Sequence, residues 1–372
     1  MRVRRVAGIA IAAAMGTAVL ALARSTDWLA SMGASLSGER LDRARRSAQW
    51  RGGRFENAMP TRMMNPGSIA SMLRMQLTGS EVRTPRRPIP VEKRRTEDFE
   101  APPASGLRVT WMGHAGALVE IDGQRVLTDP VWSQRVSPSS LLGPKRFFEP
   151  PIALKDLPPI DAVVISHDHY DHLDMDTVRT LGARGTLFLV PLGVGAHLEK
   201  WGIPPSQIRE LDWSDHLTLH GVRLTMTPAR HFSGRGLTDR DATLWASWVI
   251  AGPDHRVFYS GDSGYFDGFR RIGQEHGPFD LTLMSVGAYG PTWPLIHMTP
   301  EEVVQAHVDL GGGLLVPVHW GTFNLAFHDW NDPVLRASSA AQQLGAKILI
   351  PKPGQMVEPA HPPVVEEWWR ER

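Results

Sequence analysis

Residues 165–174, ISHDHYDHLD, place three histidines and three aspartates within ten positions. The imidazoles of His167, His169 and His172 and the carboxylate of Asp171 are nitrogen and oxygen ligands of the kind that bind zinc. The residues just before them, DAVVIS, predict a short buried strand. Because an extended backbone sends alternate side chains to the same side, we expect His167 and His169 to meet one metal ion. Asp171 and His172 are then expected to reach a second ion as the chain turns towards a helix.

Two metal sites need more ligands than this stretch supplies, so further His or Asp residues are required at other strand ends. His231 follows the apolar run VRLTMTPAR, Asp262 ends RVFYSGD, and His319 follows LLVPV. Each of these three residues lies where a predicted strand gives way to a loop. Together the seven side chains provide two sets of three ligands and one carboxylate to share.

A shared carboxylate is an electrostatic requirement of such a centre. Two divalent ions about 3.5–4 Å apart repel each other by on the order of 20 kcal/mol at an effective dielectric constant of about 20. An anionic bridge must offset that repulsion, and we expect Asp262 to be one bridge and a hydroxide the other. Metal binding lowers the pKa of water enough to supply hydroxide near neutral pH. The hydroxide is then the predicted nucleophile, without any covalent intermediate on the protein.

The elements that position these ligands form two kinds of layer. Short apolar strands follow one another from Gly106 onwards, and helical stretches connect the later ones, for example TPEEVVQAHVDLG with Thr299 as the expected N-cap. Hairpins first and helix-connected strands later predict an α/β (α+β) protein with helices packed on sheets. We expect a catalytic domain over residues 104–365, preceded by a basic, Pro-interrupted extension over residues 24–103.

The N-terminus predicts export. MRVRR is followed by an uncharged apolar run that ends in Ala21-Leu22-Ala23, and residues 1–23 are expected to be either a cleaved signal peptide or a membrane anchor. The protein is therefore expected to be periplasmic or membrane-associated in a bacterium. The chain has no cysteine, which excludes disulfides, thiolate ligands and a cysteine nucleophile.

Charge is distributed unevenly along the chain. Residues 1–95 carry 18 basic and 6 acidic residues, and the whole chain carries 40 and 39, so the remainder has a net charge of −11. An acidic body argues against nucleic acid as a partner. The basic arm beside an apolar N-terminus suits an anionic membrane surface, although a solvated extension has the same composition.

The chain resembles the metallo-beta-lactamase superfamily, whose members share a four-layer αββα sandwich with two metals at one edge. Within that superfamily its motifs resemble the N-acylphosphatidylethanolamine-hydrolysing phospholipase D family. The motifs that carry this resemblance are VTWMGHAGALVEIDGQRVLTDPVWSQRVSPSSLLGPKRF, LPPIDAVVISHDHYDHLD, LWASWVIAG, SGDSGYF, GPFDLTLMSVGAY and VHWGTF. It extends from about residue 107 to about residue 353, and the basic extension lies outside it.

The resemblance implies a role for each candidate residue. One zinc is expected to bind His167, His169 and His231, the other Asp171, His172 and His319, and Asp262 is expected to bridge them. His297 is expected near the substrate phosphate, where it would orient the phosphate or donate a proton to the leaving alcohol; a plain helix-entry histidine is the alternative. Asp129 corresponds to a structural aspartate that supports a histidine ligand, and His114 is expected to be structural.

The resemblance also implies a reaction. It is the hydrolysis of N-acylphosphatidylethanolamine to phosphatidic acid and an N-acylethanolamine, with Asp171, Asp262 and His297 in the catalytic set. A lactonase or another small-substrate hydrolase uses the same ligands, and a non-catalytic envelope binding protein is an alternative of a different class. Zinc is the expected metal, with iron or manganese also compatible with these ligands. A phospholipid substrate and a membrane surface are the expected partners, and a homodimer is left open. Trp293 and Trp320 are candidates to line an apolar groove for the acyl chains, with burial in the core as the default alternative for tryptophan.

Overall fold

The computed structural model describes residues 26–370, so the predicted leader at 1–23 lies outside the described residues. The extension contains more regular structure than its interrupted sequence predicts, namely helices α1 (Thr26–Ser31), α2 (Gly38–Arg46) and α3 (Ser68–Thr78), the small hairpin β1 (Trp50–Arg51) and β2 (Arg54–Phe55), and a 3₁₀ turn (Thr96–Phe99). Contacts with the rest of the protein stabilise these short elements. Arg40 and Arg43 of α2, for example, form ion pairs of 2.5 and 2.7 Å with the buried carboxylate of Glu210.

The first of two large sheets has seven strands. They are β3 (Leu107–Gly113), β4 (Gly116–Ile121), β5 (Gln124–Thr128), β6 (Ala162–Val164), β7 (Leu187–Pro191), β8 (Ile208–Leu211) and, from the end of the chain, β15 (Met356–Val357). Their spatial order is β15-β3-β4-β5-β6-β7-β8. The pairs from β15 to β5 are antiparallel, and those from β5 to β8 are parallel.

The second sheet has six strands and repeats this plan. They are β9 (His216–Leu219), β10 (Val222–Thr227), β11 (Ser247–Ala251), β12 (Arg256–Tyr259), β13 (Phe279–Ser285) and β14 (Gly312–Val318). Each strand lies beside its neighbours in sequence, in the order β14-β13-β12-β11-β10-β9. The pairs from β9 to β12 are antiparallel and those from β12 to β14 are parallel. The predicted change from hairpins to helix-connected strands therefore occurs once in each sheet.

Helices cover the outer faces of the sheets. They are α4 (Met175–Gly182), α5 (Gly195–Lys200), α6 (Gly268–His276), α7 (Pro300–Asp309) and α8 (Asp332–Leu344), with 3₁₀ turns at Leu154–Asp156 and Pro205–Gln207. The predicted cap of α7 is confirmed: the Thr299 side chain accepts a hydrogen bond from the Glu302 backbone N–H, and Pro300 is the first helical residue. None of the helices in residues 26–370 combines the length and apolarity needed to cross a bilayer.

The core follows the alternation of side chains along buried strands. In β3, Trp111 packs between the two sheets, whereas its neighbour Met112 packs on the outer face with residues of α4 and α5. At the end of β6, Val164 likewise packs between the two sheets, whereas the next residue, Ile165, packs on the outer face. Both faces of the sheet are covered, and the strands are therefore nearly continuous apolar runs. The predicted α/β class and αββα layering are confirmed.

Candidate metal centre

The histidine-rich loop connects a buried strand to a helix, as predicted. Strand β6 ends at Val164 and α4 begins at Met175. Between them the backbone N–H groups of His172 and Leu173 both donate to the carbonyl of His169, at 3.0 and 2.8 Å. This tight turn points the histidines and Asp171 into one space at the carboxyl edge of the sheet.

The other predicted residues reach the same edge from the second sheet. His231 lies four residues beyond β10, Asp262 three residues beyond β12, and His319 directly after β14. His297 is on the loop that leads into α7. Because consecutive parallel strands end at the same edge, residues distant in sequence converge there.

Three histidines form the first group of potential ligands. His167, His169 and His231 each offer one ring nitrogen, and these atoms all lie within 4.8 Å of one another. His167 Nε2 is 2.8 Å from His169 Nδ1. His167 Nδ1 forms a hydrogen bond with Ser166 Oγ, and His231 Nδ1 forms one with the Ile296 carbonyl, both at 2.9 Å. The Nε2 atom of each ring is therefore directed into the group. A hydrogen bond at the far ring nitrogen is the usual support of a metal-binding histidine.

The second group combines histidines with a carboxylate. Asp171, His172 and His319, together with His114, offer atoms within 4.8 Å of one another. Asp171 Oδ2 is 3.5 Å from His172 Nε2 and 3.3 Å from His319 Nε2. His172 Nδ1 bonds to Asp129 at 2.6 Å, which directs Nε2 inward as in the first group.

Asp262 lies between the two groups. Its Oδ2 is 3.1 Å from His172 Nε2 and 3.2 Å from His319 Nε2 on one side, and 3.9 Å from His231 Nε2 on the other. The structure therefore brings all seven predicted ligands together and places Asp262 where a shared ligand has to be.

The donor atoms fit divalent metal ions. Buried polar side-chain atoms without a hydrogen-bond partner are rare, because each costs about 1–3 kcal/mol. Fourteen such atoms occur in the described part of the chain, and four of them belong to the predicted ligands, namely His172 Nε2, His231 Nε2, Asp262 Oδ1 and His319 Nδ1. A set of imidazole nitrogens and carboxylate oxygens, with no cysteine, matches the ligand chemistry of zinc and of iron or manganese.

The pKa values differ between the two groups. Burial holds the pKa of His167 and of His231 well below the usual range, and burial also lowers the pKa of His169, so these rings are neutral and have a lone pair for a metal. Burial also lowers the pKa of His172 and of His319, but the negative charges of Asp262 and Asp171 have the larger, opposite effect. The pKa of His172 is therefore raised well above its usual range, and that of His319 is raised to about 9. A cation bound beside these carboxylates would displace those protons.

Asp129 supports the second group, as the resemblance implied. It is fully buried and binds Ser166 through its backbone N–H and hydroxyl, the Tyr259 hydroxyl, and His172. Asp129, His114 and His319 all have left-handed backbone conformations, with φ of 29°, 52° and 62°. Such conformations cost about 1–3 kcal/mol each and cluster at functional sites.

His297 and His114 lie on opposite sides of the ligand set. His297 is half-buried, and its Nδ1 is 3.9 Å from Asp262 Oδ2, so it faces the space between the two groups. Burial lowers the pKa of His297 to about 4 despite Asp262. His114 is buried, and its Nε2 is 2.9 Å from Asp171 Oδ2, which supports its predicted structural role as a hydrogen-bond partner of that carboxylate.

Trp320 is buried in the interior and is not exposed along a groove. It is 3% exposed and stacks on Trp111, with ring centroids 5.6 Å apart, within a tryptophan cluster. Trp293 is half-buried and donates its indole N–H to the Ala288 carbonyl at 2.7 Å. Burial of its large apolar ring is the physical reason for the position of Trp320.

Two supporting residues were absent from the sequence prediction. Asn57 of the extension forms two hydrogen bonds to the backbone of His231. Asp168, between the first two histidines, is buried and accepts hydrogen bonds from the Gly234 backbone and the Thr243 hydroxyl at 2.7 and 2.9 Å. The HDH spacing draws attention to Asp168, whereas nothing in the local sequence marks Asn57.

Comparison with known proteins agrees with this geometry. The model of the beta-lactamase superfamily domain matches residues 124–320. An uncharacterized protein of Mycobacterium tuberculosis (strain ATCC 25618 / H37Rv) is 47% identical over 375 residues, covering 99% of both chains. The N-acyl-phosphatidylethanolamine-hydrolyzing phospholipase D 1 of Caenorhabditis elegans is 39% identical over 247 residues, covering 63% of this chain and 69% of that one.

Two further similarities are to an outer membrane protein and to a solved structure. The outer membrane protein RomA of Klebsiella pneumoniae is 49% identical over 108 residues, which is 29% of this chain and 77% of that protein. The crystal structure of a possible metal-dependent hydrolase from Veillonella parvula DSM 2008 superposes with a TM-score of 0.55 at 16% identity, covering 67% of this chain and 98% of the other. These matches and the His/Asp cluster show that the chain belongs to the metallo-beta-lactamase superfamily, as a metal-dependent hydrolase similar to the N-acylphosphatidylethanolamine-hydrolysing phospholipases D.

Proposed function

We propose that the protein is a phosphodiesterase with two metal ions, most simply zinc, that hydrolyses N-acylphosphatidylethanolamine to phosphatidic acid and an N-acylethanolamine. The observation that carries this proposal is the pair of ligand groups around Asp262, in a chain whose similarity to a phospholipase D of this specificity covers 69% of that enzyme. When bound, the two ions supply Lewis-acid chemistry, which acidifies water and neutralises charge on a phosphoryl group.

The protein's own residues account for the positioning. His167, His169 and His231 form a neutral group, whereas Asp171 and Asp262 supply the negative charge that two cations require. We assign His297 to the substrate phosphate, because its side chain is 13% exposed and its Nδ1 lies 3.9 Å from Asp262 Oδ2. Since its pKa of about 4 makes the ring neutral at pH 7, we assign it a hydrogen bond to a phosphate oxygen rather than proton donation to the leaving alcohol.

The cavity beside His231 suits an anionic lipid. It has a volume of about 600 Å³ and is lined by extension residues that include Arg54 and Arg62, and by Phe232 and Leu295. Four arginines, apolar side chains and the two acidic residues Glu56 and Asp241 line it, and its arginines and apolar groups provide complementary partners for a phosphate and an acyl chain.

Replacing His297 by Ala should lower kcat/KM about thirtyfold, since a hydrogen bond to a charged group contributes about 2 kcal/mol. Gln in its place keeps an N–H donor and should recover part of the loss. The measurement is steady-state kinetics with metal content determined on the same samples. A loss that appears only with lost metal would mean that His297 is a metal ligand instead.

A membrane surface is the proposed site of action, and α3 supports this proposal. Ile69, Leu73 and Leu77 lie one turn apart on one face of the helix and are 68%, 59% and 82% exposed. Residues 59–80 contain no acidic residue, and their N-terminal part lines the cavity beside His231. An exposed apolar stripe without negative charge suits the interface of an anionic bilayer. The similarity to an outer membrane protein is consistent with the predicted export.

The combined change Ile69→Ser, Leu73→Ser and Leu77→Ser should weaken binding to phosphatidylglycerol-containing vesicles at least about a hundredfold, because each apolar side chain contributes about 1 kcal/mol or more when it leaves water. Flotation of the protein with vesicles measures the effect. The matched control changes three exposed apolar residues elsewhere, Val308, Leu344 and Val364, to Ser. Equal vesicle binding by both triple variants would contradict a role of α3.

Substrate comparison tests the proposed reaction against its main alternative. Metal-loaded protein is offered N-acylphosphatidylethanolamine in mixed micelles and, separately, acyl lactones, with and without a chelator. Chelator-sensitive release of N-acylethanolamine supports the phospholipase. Turnover of lactones alone would establish the lactonase, and two bound metals without any turnover would favour a binding protein.

A further inference from the structure

The backbone of His231 receives its hydrogen bonds from outside the domain that supplies the metal ligands. Strand β10 ends at Thr227, so His231 lies on a loop without a strand partner. The Asn57 side chain binds the His231 backbone as a neighbouring strand would. Its Nδ2 donates to the His231 carbonyl at 2.7 Å, and its Oδ1 accepts a hydrogen bond from the His231 N–H at 3.0 Å. One amide side chain thereby satisfies both backbone groups of the residue, for which residues 26–370 provide no other hydrogen-bond partner.

Asn57 is itself held in place. The backbone N–H of Phe55, a residue 1% exposed, donates to the Asp241 carbonyl at 2.9 Å. The indole N–H of Trp245 donates to Asn57 Oδ1 at 3.1 Å. These contacts fix the amide group before it meets His231, so it can act as a rigid support.

The imidazole of His231 is fixed separately. Its Nδ1 bonds to the Ile296 carbonyl at 2.9 Å, and its Nε2 is buried without a hydrogen-bond partner in the described residues. The Ile296 contact sets the ring rotation, while Asn57 sets the position of the backbone from which the ring extends. Both are needed to bring Nε2 to His167 and His169.

We propose that Asn57 is a positioning residue for the first metal site, and that the N-terminal extension is thereby a working part of the catalytic centre. Asn57 precedes residues 124–320, which match the superfamily domain, and both polar atoms of its amide are bonded to the His231 backbone. The inference rests on the proposed metal centre but not on the lipid substrate. Partners that hold metal ligands in place typically contribute 10- to 100-fold to metal affinity.

The test is a Co(II) titration of the full chain, followed by the visible absorption of the bound ion and by chelator competition. In Asn57→Leu, which removes both hydrogen bonds at similar size, one of the two dissociation constants should rise about 10- to 100-fold, with a changed absorption band. The other should stay within about twofold of the wild-type value. His231→Ala identifies the affected step, because it removes a ligand of the first site alone.

Two matched variants separate positioning from general stability. Asn57→Asp retains the acceptor for the His231 N–H and loses the donor to its carbonyl, so its affinity should be intermediate. Asn65→Leu removes another amide of the extension, which donates to the Pro291 carbonyl at 3.0 Å, and should leave both constants unchanged. If Asn57→Leu does not fold, the Asp variant alone decides the question.

Wild-type affinities and spectra in the Asn57 variants would overturn the proposal, as would equal weakening of both sites. Failure of the lipid reaction gives a different result, namely two metals bound with wild-type affinity and no release of N-acylethanolamine. The two proposals can therefore fail independently of each other.

Discussion

Replacing Asp262 by Asn should lower kcat/KM for phosphodiester hydrolysis at least about a thousandfold, which corresponds to about 4 kcal/mol, and should leave fewer than two metal ions per chain. Asp262 is the carboxylate that approaches both ligand groups, with His172 and His319 on one side and His231 on the other. Without its negative charge, the repulsion between two divalent ions, on the order of 20 kcal/mol, loses a main source of compensation. Kinetics and elemental analysis on the same preparation measure the two effects together.

A matched control for Asp262→Asn is Asp254→Asn, which removes one carboxylate from an exposed loop between β11 and β12. It should leave activity and metal content unchanged. A fully active Asp262→Asn protein with two metals would show that the carboxylate is not shared, and the assignment of the two groups to one dinuclear centre would then be wrong.

Replacing Asp129 by Asn should lower the free energy of unfolding by about 3–5 kcal/mol, the cost of breaking a buried charged pair from one side. Asp129 is 0% exposed and accepts hydrogen bonds from four groups, including His172 Nδ1 at 2.6 Å. An amide of the same shape cannot accept all of them. Because His172 then loses its support, the affinity for one metal should also fall about 10- to 100-fold. Urea denaturation and chelator competition measure the two effects.

Asp161→Asn is the control for this change. Asp161 is exposed and, just before β6 of the same sheet, accepts the Arg125 N–H at 2.8 Å, so its substitution should cost about 1 kcal/mol or less. Similar stability losses in the two variants, with metal affinity unaffected in both, would show that Asp129 is an ordinary core residue.

The sequence contained enough information to predict that the seven candidate ligands cluster at one site. His167, His231 and His319 each follow an apolar run long enough to identify a buried strand, and such strands end at a common edge. The residue types then indicated the kind of site, because several imidazole and carboxylate groups at one sheet edge are typical of metal binding. The geometry of the site agrees with each predicted position, while the metal roles stay predictions.

The extension could not be predicted in the same way. Helices α1 and α3 are too short to be stable alone, and their formation depends on contacts with residues far along the chain, such as the bond from Ser68 to the Thr292 carbonyl at 2.9 Å. Strands β8 and β9 were not predicted either, because neither has a sustained apolar run. Asn57 has no local signal, because its role depends entirely on a partner 174 positions away.

The most direct test of the proposed reaction identifies its products in water enriched in oxygen-18. Metal-loaded protein acts on N-acylphosphatidylethanolamine in mixed micelles, and mass spectrometry locates the label. The proposed phospholipase D reaction gives phosphatidic acid with one oxygen-18 atom and unlabelled N-acylethanolamine, because water attacks phosphorus and the head-group alcohol leaves. Diacylglycerol with a labelled phospho-N-acylethanolamine, or no product from protein with both metals bound, would contradict it.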